Sequence, residues 1–448
     1  MSHAERFETR AQDLATRAVE AARKAGATAA DAVVTFSTAR AVTVRGGQTE
    51  EIEQADDIAI TLRAFDGQRM ALVATQESAL DASAERAVAM ARAAPEDPSI
   101  GLADESALAT PPFADLDLYD PADPDVAALT ERALGAEAAA MAVAGVTKSD
   151  SASASVASTT RALATSNGFC GATRTSGHSH GVTAIAGEGT RMERDGWYAS
   201  RRHLADLEGV AGVGTLAGER AVRRIGGAPI PTTTAAVVFE PRAATGFIRH
   251  LLSAINGQAV SRNASFLAGK VGSAVFPSGI TVRDDPHVPR GFASRPFDGE
   301  GLAAHPLDLV ADGVLQHTLL DLATARKLGL QPNGRASRGA GNPSPGSTNV
   351  SVQGGAGDLA AIMAQLGSGF LVTDLIGMGA NTVSGSYSRG AGGFWFENGE
   401  IVKPVNEVTI AGTLPDMFAR AIFGDDAPGL YAVDAPTIAV EGMTIGGV

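Results

Sequence analysis

The sequence predicts an α+β protein made of two regions. The N-terminal region is expected to be mixed α/β, with antiparallel sheets and flanking helices. The C-terminal domain should be mainly antiparallel β and barrel-like, with a few covering helices. Strand-like runs follow one another without the alternating βαβ series of a Rossmann or TIM-barrel fold. Tight-turn dipeptides such as Asp312-Gly313 and Asn398-Gly399 join neighbouring runs. In addition, 52 of the 448 residues are glycine, which indicates many turns and close backbone approaches.

Residues 1–110 are predicted to form a helix–sheet–helix lobe. Ser2 and Glu5 have the spacing of a capping box, and Gly26 stands where a helix C-cap needs a left-handed residue. The strand-like runs AVVTF, AVTVR, DIAITLRAF and QRMALVAT follow. The last two flank Asp66-Gly67, the dipeptide of a type I′ hairpin. A second helix completes the lobe.

Residues 111–228 are predicted to form a second lobe, a helix followed by a β-meander. Asp123 and Pro124 mark the start of the helix, which should run to about Met141, because proline is tolerated at the first helical position. Short alternating strands are expected between residues 147 and 206. An alanine-rich helix then closes the lobe.

Residues 229–448 are predicted to form the C-terminal β-rich domain, because Pro229-Ile230-Pro231 stiffens the chain at a boundary. The strand TAAVVFE leads into a helix that begins at Pro241 and carries Ile248 on its apolar stripe. Beyond it, the two hairpin dipeptides named above alternate with short helices, and PTIAVEGMTI is the last strand.

Composition excludes several classes of protein. The formal charge of −14, from 50 acidic and 36 basic residues, argues against binding nucleic acid or anionic lipid. A single cysteine, Cys170, excludes a disulfide framework and a thiolate zinc finger. The N-terminus is charged throughout, unlike a signal peptide, and no stretch reaches the roughly 18 apolar residues of a membrane span. We therefore expect a cytoplasmic protein.

The segment Gly177-His178-Ser179-His180-Gly181 matches the G-x-S-x-G nucleophile elbow of α/β-hydrolases. That motif needs a strand-to-helix turn above a parallel sheet, whereas the residues that follow here look like another strand. His178 and His180 point to one face of such a strand and could give two ligands to zinc. The alternative is that they are polar strand residues that face solvent or a cleft.

Two acidic clusters, Asp284-Asp285 and Asp298-Gly299-Glu300, allow two interpretations. Paired carboxylates can bind a cation or act as general acid and base. The commoner role of such residues is turn formation and capping.

The C-terminal half contains VVFEPRAATGFIRHLLSAINGQAV, FDGEG, PSPGSTN and SGSYSRGAGGFWFENGEIVKPVNEVTIAGTL. These segments resemble the TldD/PmbA family, and more narrowly its PmbA branch, also called TldE and described as "modulator of DNA gyrase" proteins. The segments SNGFCGATRTSGHSHG and MERDGWYASR in the middle of the chain fit the same branch. The resemblance covers essentially the whole chain.

This resemblance implies a subunit of a cytoplasmic zinc metalloprotease. In the family, a TldD-type subunit carries a zinc-binding H-E-x-x-x-H helix and pairs with a TldE-type subunit. The heterodimer degrades or trims unfolded or small peptides, including peptide precursors. The expected partners are therefore a TldD-type subunit and such peptides, with no direct contact to nucleic acid or membrane and with a homodimer possible when the chain is alone.

The zinc motif itself is absent, since the sequence contains no His-Glu dipeptide. Aligned on Asn256-Gly257, the motif's first histidine falls on Ile248, its glutamate on Arg249 and its second histidine on Ser253. Isoleucine cannot ligate a metal, and arginine cannot act as a base. The resemblance thus implies a non-catalytic chain with no metal or cofactor of its own, and zinc in the partner.

Residues expected to line a peptide cleft or the subunit contact are Asn381, Ser384, Tyr387, Ser388 and Arg389, with His178, His180, Asp195 and Trp197. Maintenance of a turn-rich sheet is the other explanation for each of them. Two alternative functions stay open. The first is a self-sufficient hydrolase that uses His178 and His180 as zinc ligands or Ser179 as nucleophile. The second is a homodimeric peptide-binding protein without catalysis.

Overall fold

A computed structural model describes the chain from His3 to Val448, with side chains described from Phe7 onward. Of the predicted capping pair, Ser2 and the side chain of Glu5 therefore lie outside the described part of the chain. Within this range no helix is both long enough and apolar enough to cross a membrane.

The N-terminal half contains one six-stranded antiparallel sheet with four helices on one face. The strands are β1 (Ala29–Arg45), β2 (Gln48–Asp66), β3 (Arg69–Thr75), β4 (Val146–Thr165), β5 (Cys170–Ala186) and β6 (Glu193–Arg201). The helices are α1 (His3–Lys24), α2 (Leu80–Ala93), α3 (Val126–Met141) and α4 (Val210–Arg223). The strand order is β3-β2-β1-β4-β5-β6, with every pair antiparallel.

The strands of this sheet are longer than expected. AVVTF and AVTVR belong to the single 17-residue strand β1, and the region predicted as short strands holds the 20-residue β4 and the 17-residue β5. The prediction of short strands was wrong because one face of the sheet is covered along its length. Val34 and Phe36 of β1 pack in the core of α1 and α2, and Val42 packs in the core of α3 and α4.

The hairpin turns test the dipeptide predictions. The strands on either side of Asp312-Gly313 and of Asn398-Gly399 pair directly, which confirms the two predicted hairpins. Both turns have the two positive φ angles of a type I′ turn (+48° and +74°, +52° and +80°). In the first hairpin β2 pairs Asp66 with Arg69, and of the intervening residues only Gly67 has positive φ (+61°). The type I′ prediction is wrong there, because glycine at the first central position is the pattern of a type II′ turn.

Two helix ends were also predicted. Helix α1 ends near Gly26, which has φ +98° as expected of a C-terminal glycine. Helix α3 is capped by Asp125, whose carboxylate accepts the backbone N–H of Ala128 at 2.8 Å. Asp123 was predicted to open this helix, but its carboxylate binds Arg40 instead (3.0 Å).

The C-terminal half contains a closed β-barrel with covering helices. The strands of this whole half, in the barrel and beside it, are β7 (Thr233–Phe239), β8 (Thr281–Asp285), β9 (Leu307–Ala311), β10 (Val314–Leu315), β11 (Ala336–Ser337), β12 (Ser344–Pro345), β13 (Asn349–Gln353), β14 (Ser368–Ile376), β15 (Ser386–Glu397), β16 (Glu400–Thr413), β17 (Ile422–Phe423) and β18 (Ile438–Gly446). Its helices are α5 (Pro241–Ala254), α6 (Gly257–Ser261), α7 (Leu322–Leu328), α8 (Leu359–Leu366) and α9 (Leu414–Ala419).

The barrel closes because β16 pairs with β18 as well as with β15. The strands run β16-β15-β14-β7-β18, with β17 paired to the start of β18, and only the β7–β14 pair among the described strands is parallel. A smaller sheet, β10-β9-β8-β13, lies beside it. Helix α5 packs Phe247, Ile248 and Leu251 in the main core of this half. The α+β class with a barrel-like C-terminal part is thus confirmed.

The division into residues 1–110, 111–228 and 229–448 stays a prediction. The first boundary falls in the connection between α2 and α3, and the second in the connection between α4 and β7. The N-terminal sheet takes β1–β3 from the first range and β4–β6 from the second.

Candidate functional site

A cavity of about 790 Å³ lies where the edge strand β6 meets the barrel. Its walls come from β4, β5 and β6 of the N-terminal sheet, and from the start of α5, the end of β14 and one residue of β15 in the other half. Of the residues predicted from sequence, it brings together Asp195, Trp197 and Arg389.

Asp195 contacts three arginines from the elements around this cavity. Its carboxylate lies 3.3 Å from Nη2 of Arg242 on α5, 3.4 Å from Nε of Arg220 on α4, and 3.6 Å from Nη1 of Arg224 after α4. Burial by itself would raise the pKa of Asp195, but the three arginines outweigh burial and lower it. A single ionised carboxylate therefore joins the sheet edge, α4 and α5.

Trp197 and Glu240 complete this cluster. The guanidinium carbons of Arg220 and Arg242 lie 5.2 and 5.5 Å from the centre of the Trp197 ring, within cation–π range. The carboxylate of Glu240 binds Nη2 of Arg220 at 2.7 Å. Arg242 also donates to the backbone oxygen of Gly196 (3.1 Å), which occupies part of the free edge of β6.

Arg389 reaches the cavity from the barrel. Its Nη2 lies 3.5 Å from the backbone oxygen of Leu375, and its Nε is buried without a hydrogen-bond partner. The rings of His250 and Tyr387 lie beside it, 5.7 Å apart and edge to face. Burial, with help from Arg389, lowers the pKa of His250 to about 4, and burial raises the pKa of Tyr387 to about 12. Both neighbours are therefore uncharged at neutral pH.

The other residues predicted from the β14–β15 region lie outside the cavity lining. Asn381 closes a turn, since its side-chain oxygen accepts the N–H groups of Val383 (2.9 Å) and Ser384 (3.1 Å). Ser388 is exposed, and its backbone N–H donates to the oxygen of Gly379 at 2.7 Å. A structural role as a turn accounts for these contacts.

His178 and His180 are buried on the helix-covered face of β5, each 1% exposed. Nε2 of His178 lies 3.3 Å from the carboxylate of Asp120, and burial lowers the pKa of both histidines. Ser179 points to the opposite face and shares a hydrogen bond with Ser155 (2.8 Å). The chain continues as strand beyond Gly181, so no nucleophile elbow forms, and Ser179 cannot pair with either histidine.

The aligned zinc-motif positions do not converge on one site. Ile248 is fully buried in the core, whereas Arg249 and Ser253 are exposed, with the Ser253 hydroxyl bonded to the Arg249 carbonyl (2.8 Å). Across the part of the chain that the structure describes, no three His, Cys, Asp or Glu side chains are grouped as metal ligands. The residues present at these positions therefore do not fit a zinc ion.

Sequence reasoning missed Arg220, Arg224 and Arg242. Arg220 and Arg224 are spaced i, i+4, which places them on one face at the C-terminal end of α4. Arg242 stands in the first turn of a helix, where a cation is unfavourable unless a carboxylate lies close by. Those two signals could have indicated an acidic partner, but neither shows that the partner is Asp195.

Comparison with known proteins places the chain in a family. Residues 30–91 match PmbA/TldA metallopeptidase domain 1, residues 119–225 the central domain, and residues 232–447 the C-terminal domain. A metalloprotease PmbA homologue of Haemophilus influenzae is 35% identical over 436 residues, covering 96% of this chain and 94% of the relative.

Solved structures agree with this assignment. The crystal structure of a candidate modulator of DNA gyrase from Bacteroides thetaiotaomicron superposes with a TM-score of 0.90 at 25% identity, covering 98% of this chain and 99% of that one. TldE from Thermococcus kodakarensis has the same fold, with a TM-score of 0.84 at 21% identity over 97% of this chain and all of the other. The chain therefore belongs to the PmbA/TldD family of metallopeptidases.

Proposed function

We propose that this chain is the non-catalytic, TldE/PmbA-type subunit of a heterodimeric metalloprotease. Its partner is a TldD-type subunit, which supplies the zinc ion and the catalytic groups. The substrates are unfolded or small peptides, including peptide precursors, and the complex works in the cytoplasm.

The observation that carries this proposal is the environment of Ile248. Membership of a metallopeptidase family leads one to expect a zinc site on α5, yet Ile248 is 0% exposed and packs in the core with Phe247 and Leu251. A histidine there would be buried in an apolar core, away from the exposed positions 249 and 253. A chain of this family without ligands on that helix needs a second subunit to provide them.

Two surface features support pairing with another chain and with peptides. The end of β14 and the connection to β15 present three exposed apolar side chains, Ile376, Met378 and Val383, of which Met378 is completely exposed. Neighbouring exposed apolar residues are typical of protein contact sites. Beside them, the cavity at the β6 edge offers arginine donors and part of a free strand edge, both suited to the main chain of a peptide.

The geometry does not support a self-sufficient hydrolase. Its serine form fails because Ser179 and the two histidines lie on opposite faces of β5. Its zinc form is not supported either: Asp120 lies near His178, but no three His, Cys, Asp or Glu side chains of the described residues are grouped so that they could hold a metal ion. A homodimeric peptide-binding protein is the remaining alternative, and it is an outcome of the test below.

The test is to produce the chain alone and together with the TldD-type chain of the same organism. We expect stable zinc only in the co-expressed sample, cleavage of an unfolded peptide only by that sample, and a heterodimer in light scattering. Zinc and cleavage in the lone chain would contradict the proposal. A homodimer that binds peptide and ignores the TldD-type chain would favour the homodimeric alternative instead.

A further inference from the structure

The arginines that line the cavity differ in their partners. Arg194 lies 3.8 Å from Asp150, Arg224 lies 3.6 Å from Asp195, and Arg242 lies 3.3 Å from Asp195. Arg389 also lines the cavity, but it forms no ion pair with any carboxylate of the described residues. It is thus a cavity arginine whose charge is left without a counterion.

The surroundings of Arg389 satisfy its donors only in part, through the hydroxyl of Tyr387 and the backbone oxygen of Leu375. Its contact with the oxygen of Leu375 is long (3.5 Å), and its buried Nε has no partner. A side chain at position 246 would begin 3.7 Å from Nη1, so Gly246 keeps that side of the guanidinium open towards the cavity. Since a buried donor without a partner costs free energy, this arrangement favours an added acceptor.

The net charge of the residues that line the cavity indicates which anion could bind there. Its lining contains four arginines (194, 224, 242 and 389) and three aspartates (150, 195 and 374), a difference of one positive charge. A monoanion would balance that difference, whereas a dianionic phosphate would leave one negative charge unbalanced. A planar carboxylate also matches the two-pronged geometry of a guanidinium.

We propose that the cavity binds a carboxylate group of a peptide, with Arg389 as its anchor. The volume of about 790 Å³ is large enough for more than one residue. The carboxylate can be the peptide's C-terminus or an Asp or Glu side chain. This inference rests on the proposed function, because it takes the bound molecule to be a peptide.

The test uses the lone full-length chain and its own fluorescence. The chain has two tryptophans, and the substitution Trp395→Phe leaves Trp197, in the cavity lining, as the reporter. The probes are N-acetyl-trialanine as free acid and as amide, and N-acetyl-Ala-Asp-Ala-amide beside its Asn counterpart. Each peptide is titrated into the Trp395→Phe protein and into three variants of it, which carry Arg389→Gln, Arg389→Lys or Arg283→Gln in addition. Arg283 is a matched control, since it pairs with Asp308 on the small sheet, away from the cavity.

We expect the free acid or the Asp peptide to bind roughly 10–100-fold more tightly than its neutral counterpart, the range for a charge-assisted hydrogen bond. Whichever pair shows the difference identifies the source of the carboxylate. Arg389→Gln should abolish the difference, Arg389→Lys should retain part of it because the charge remains, and Arg283→Gln should change nothing.

Equal affinity within both pairs, or no saturable response to either acid, overturns the proposal. So does a difference that survives in folded Arg389→Gln, or inorganic phosphate binding more tightly than the acids. If Arg389→Gln does not fold, as judged by circular dichroism, the comparison of acid with amide in the parent protein still decides. Failure here would leave pairing with a TldD-type chain intact, and failure of that pairing would leave the preference for acids intact.

Discussion

Arg338 and Asp31 join the two halves of the molecule through an ion pair that neither half contains by itself. Nη2 of Arg338, in the C-terminal half, lies 2.7 Å from Oδ1 of Asp31 on β1, and both side chains are at most 2% exposed. Asp31 also accepts from Nε of Arg63 on β2 (3.0 Å). Burial would raise the pKa of Asp31, but Arg338 and Arg63 outweigh burial and lower it.

We predict that Asp31→Asn lowers the free energy of unfolding by about 3–5 kcal/mol, because it leaves two buried arginines without a carboxylate. Arg338→Met should cost less, roughly 1.5–3 kcal/mol, since Asp31 keeps Arg63. Urea denaturation at neutral pH measures both. Arg283→Gln is the control, because its pair with Asp308 is 40% exposed on both sides and should change stability by less than about 1 kcal/mol. Equally small changes in the free energy of unfolding for all three variants would show that the buried ion pair of Asp31 does not stabilise the protein.

Glu300 should make the protein less stable as the pH rises. Burial, together with the nearby Asp298, raises the pKa of Glu300 from its ordinary 4.5 to about 8. Between these values the folded chain holds a proton that the unfolded chain has released, so the free energy of unfolding falls with increasing pH. The slope can approach about 1.4 kcal/mol per pH unit.

We predict that Glu300→Gln removes this contribution, because glutamine stays neutral and can still accept the Leu322 N–H that now bonds Glu300 at 2.8 Å. Urea midpoints measured from pH 5 to pH 8.5 should fall less in the variant than in the parent protein. The exposed Glu85→Gln should leave the pH profile unchanged. Parallel profiles for parent and Glu300→Gln would refute the prediction.

His250 should act in the opposite direction at acidic pH. Burial and the neighbouring Arg389 lower the pKa of His250 from 6.5 to about 4. The unfolded chain therefore binds a proton between these values that the folded chain does not, and stability falls as the pH drops from about 6.5 to 4. His250→Phe keeps a ring against Tyr387 and should make the protein less sensitive to acid in thermal melts, whereas exposed His305→Asn should not. A melting profile for His250→Phe as steep as the parent's would show that this group stays solvated.

Restoring the zinc motif should fail to create a zinc site. We predict that the combined variant Ile248→His, Arg249→Glu, Ser253→His binds no stoichiometric zinc, because position 248 faces the core while 249 and 253 face solvent. Burying an imidazole without a partner should also lower stability by about 1–3 kcal/mol. Atomic absorption on the purified protein measures the metal, with the double variant lacking the Ile248 change as control. One tightly held zinc ion per chain would overturn the prediction.

Local patterns predicted several individual elements of the C-terminal half. The dipeptides Asp312-Gly313 and Asn398-Gly399 identified two hairpins because their positive φ angles are a property of a few residue types. The start of α5 was found because Pro241 suits the first helical turn. In the N-terminal half local patterns predicted two strands where the structure has the single strand β1. The polar residues in the middle of β1 stay in the strand because they pair with β2 and β4.

The candidate site was only partly predictable. Asp195, Trp197 and Arg389 were selected and meet at the cavity, while Asn381 and Ser388 were selected and belong to turn and backbone contacts outside its lining. The histidines of β5 proved to be buried beneath helices, because a period of two places them on a face but does not say what covers it.

The sequence by itself determined the family, the charge class, the absence of the zinc motif and the apolar character of Ile248. These are properties of residue types and their local spacing. Only the tertiary structure decided that Arg389 has no carboxylate beside it, that Asp195 joins β6 to α4 and α5, and that Arg338 meets Asp31 across 307 positions. Such contacts depend on how separate elements pack, and ion pairs between distant residues leave no periodic signal in the chain.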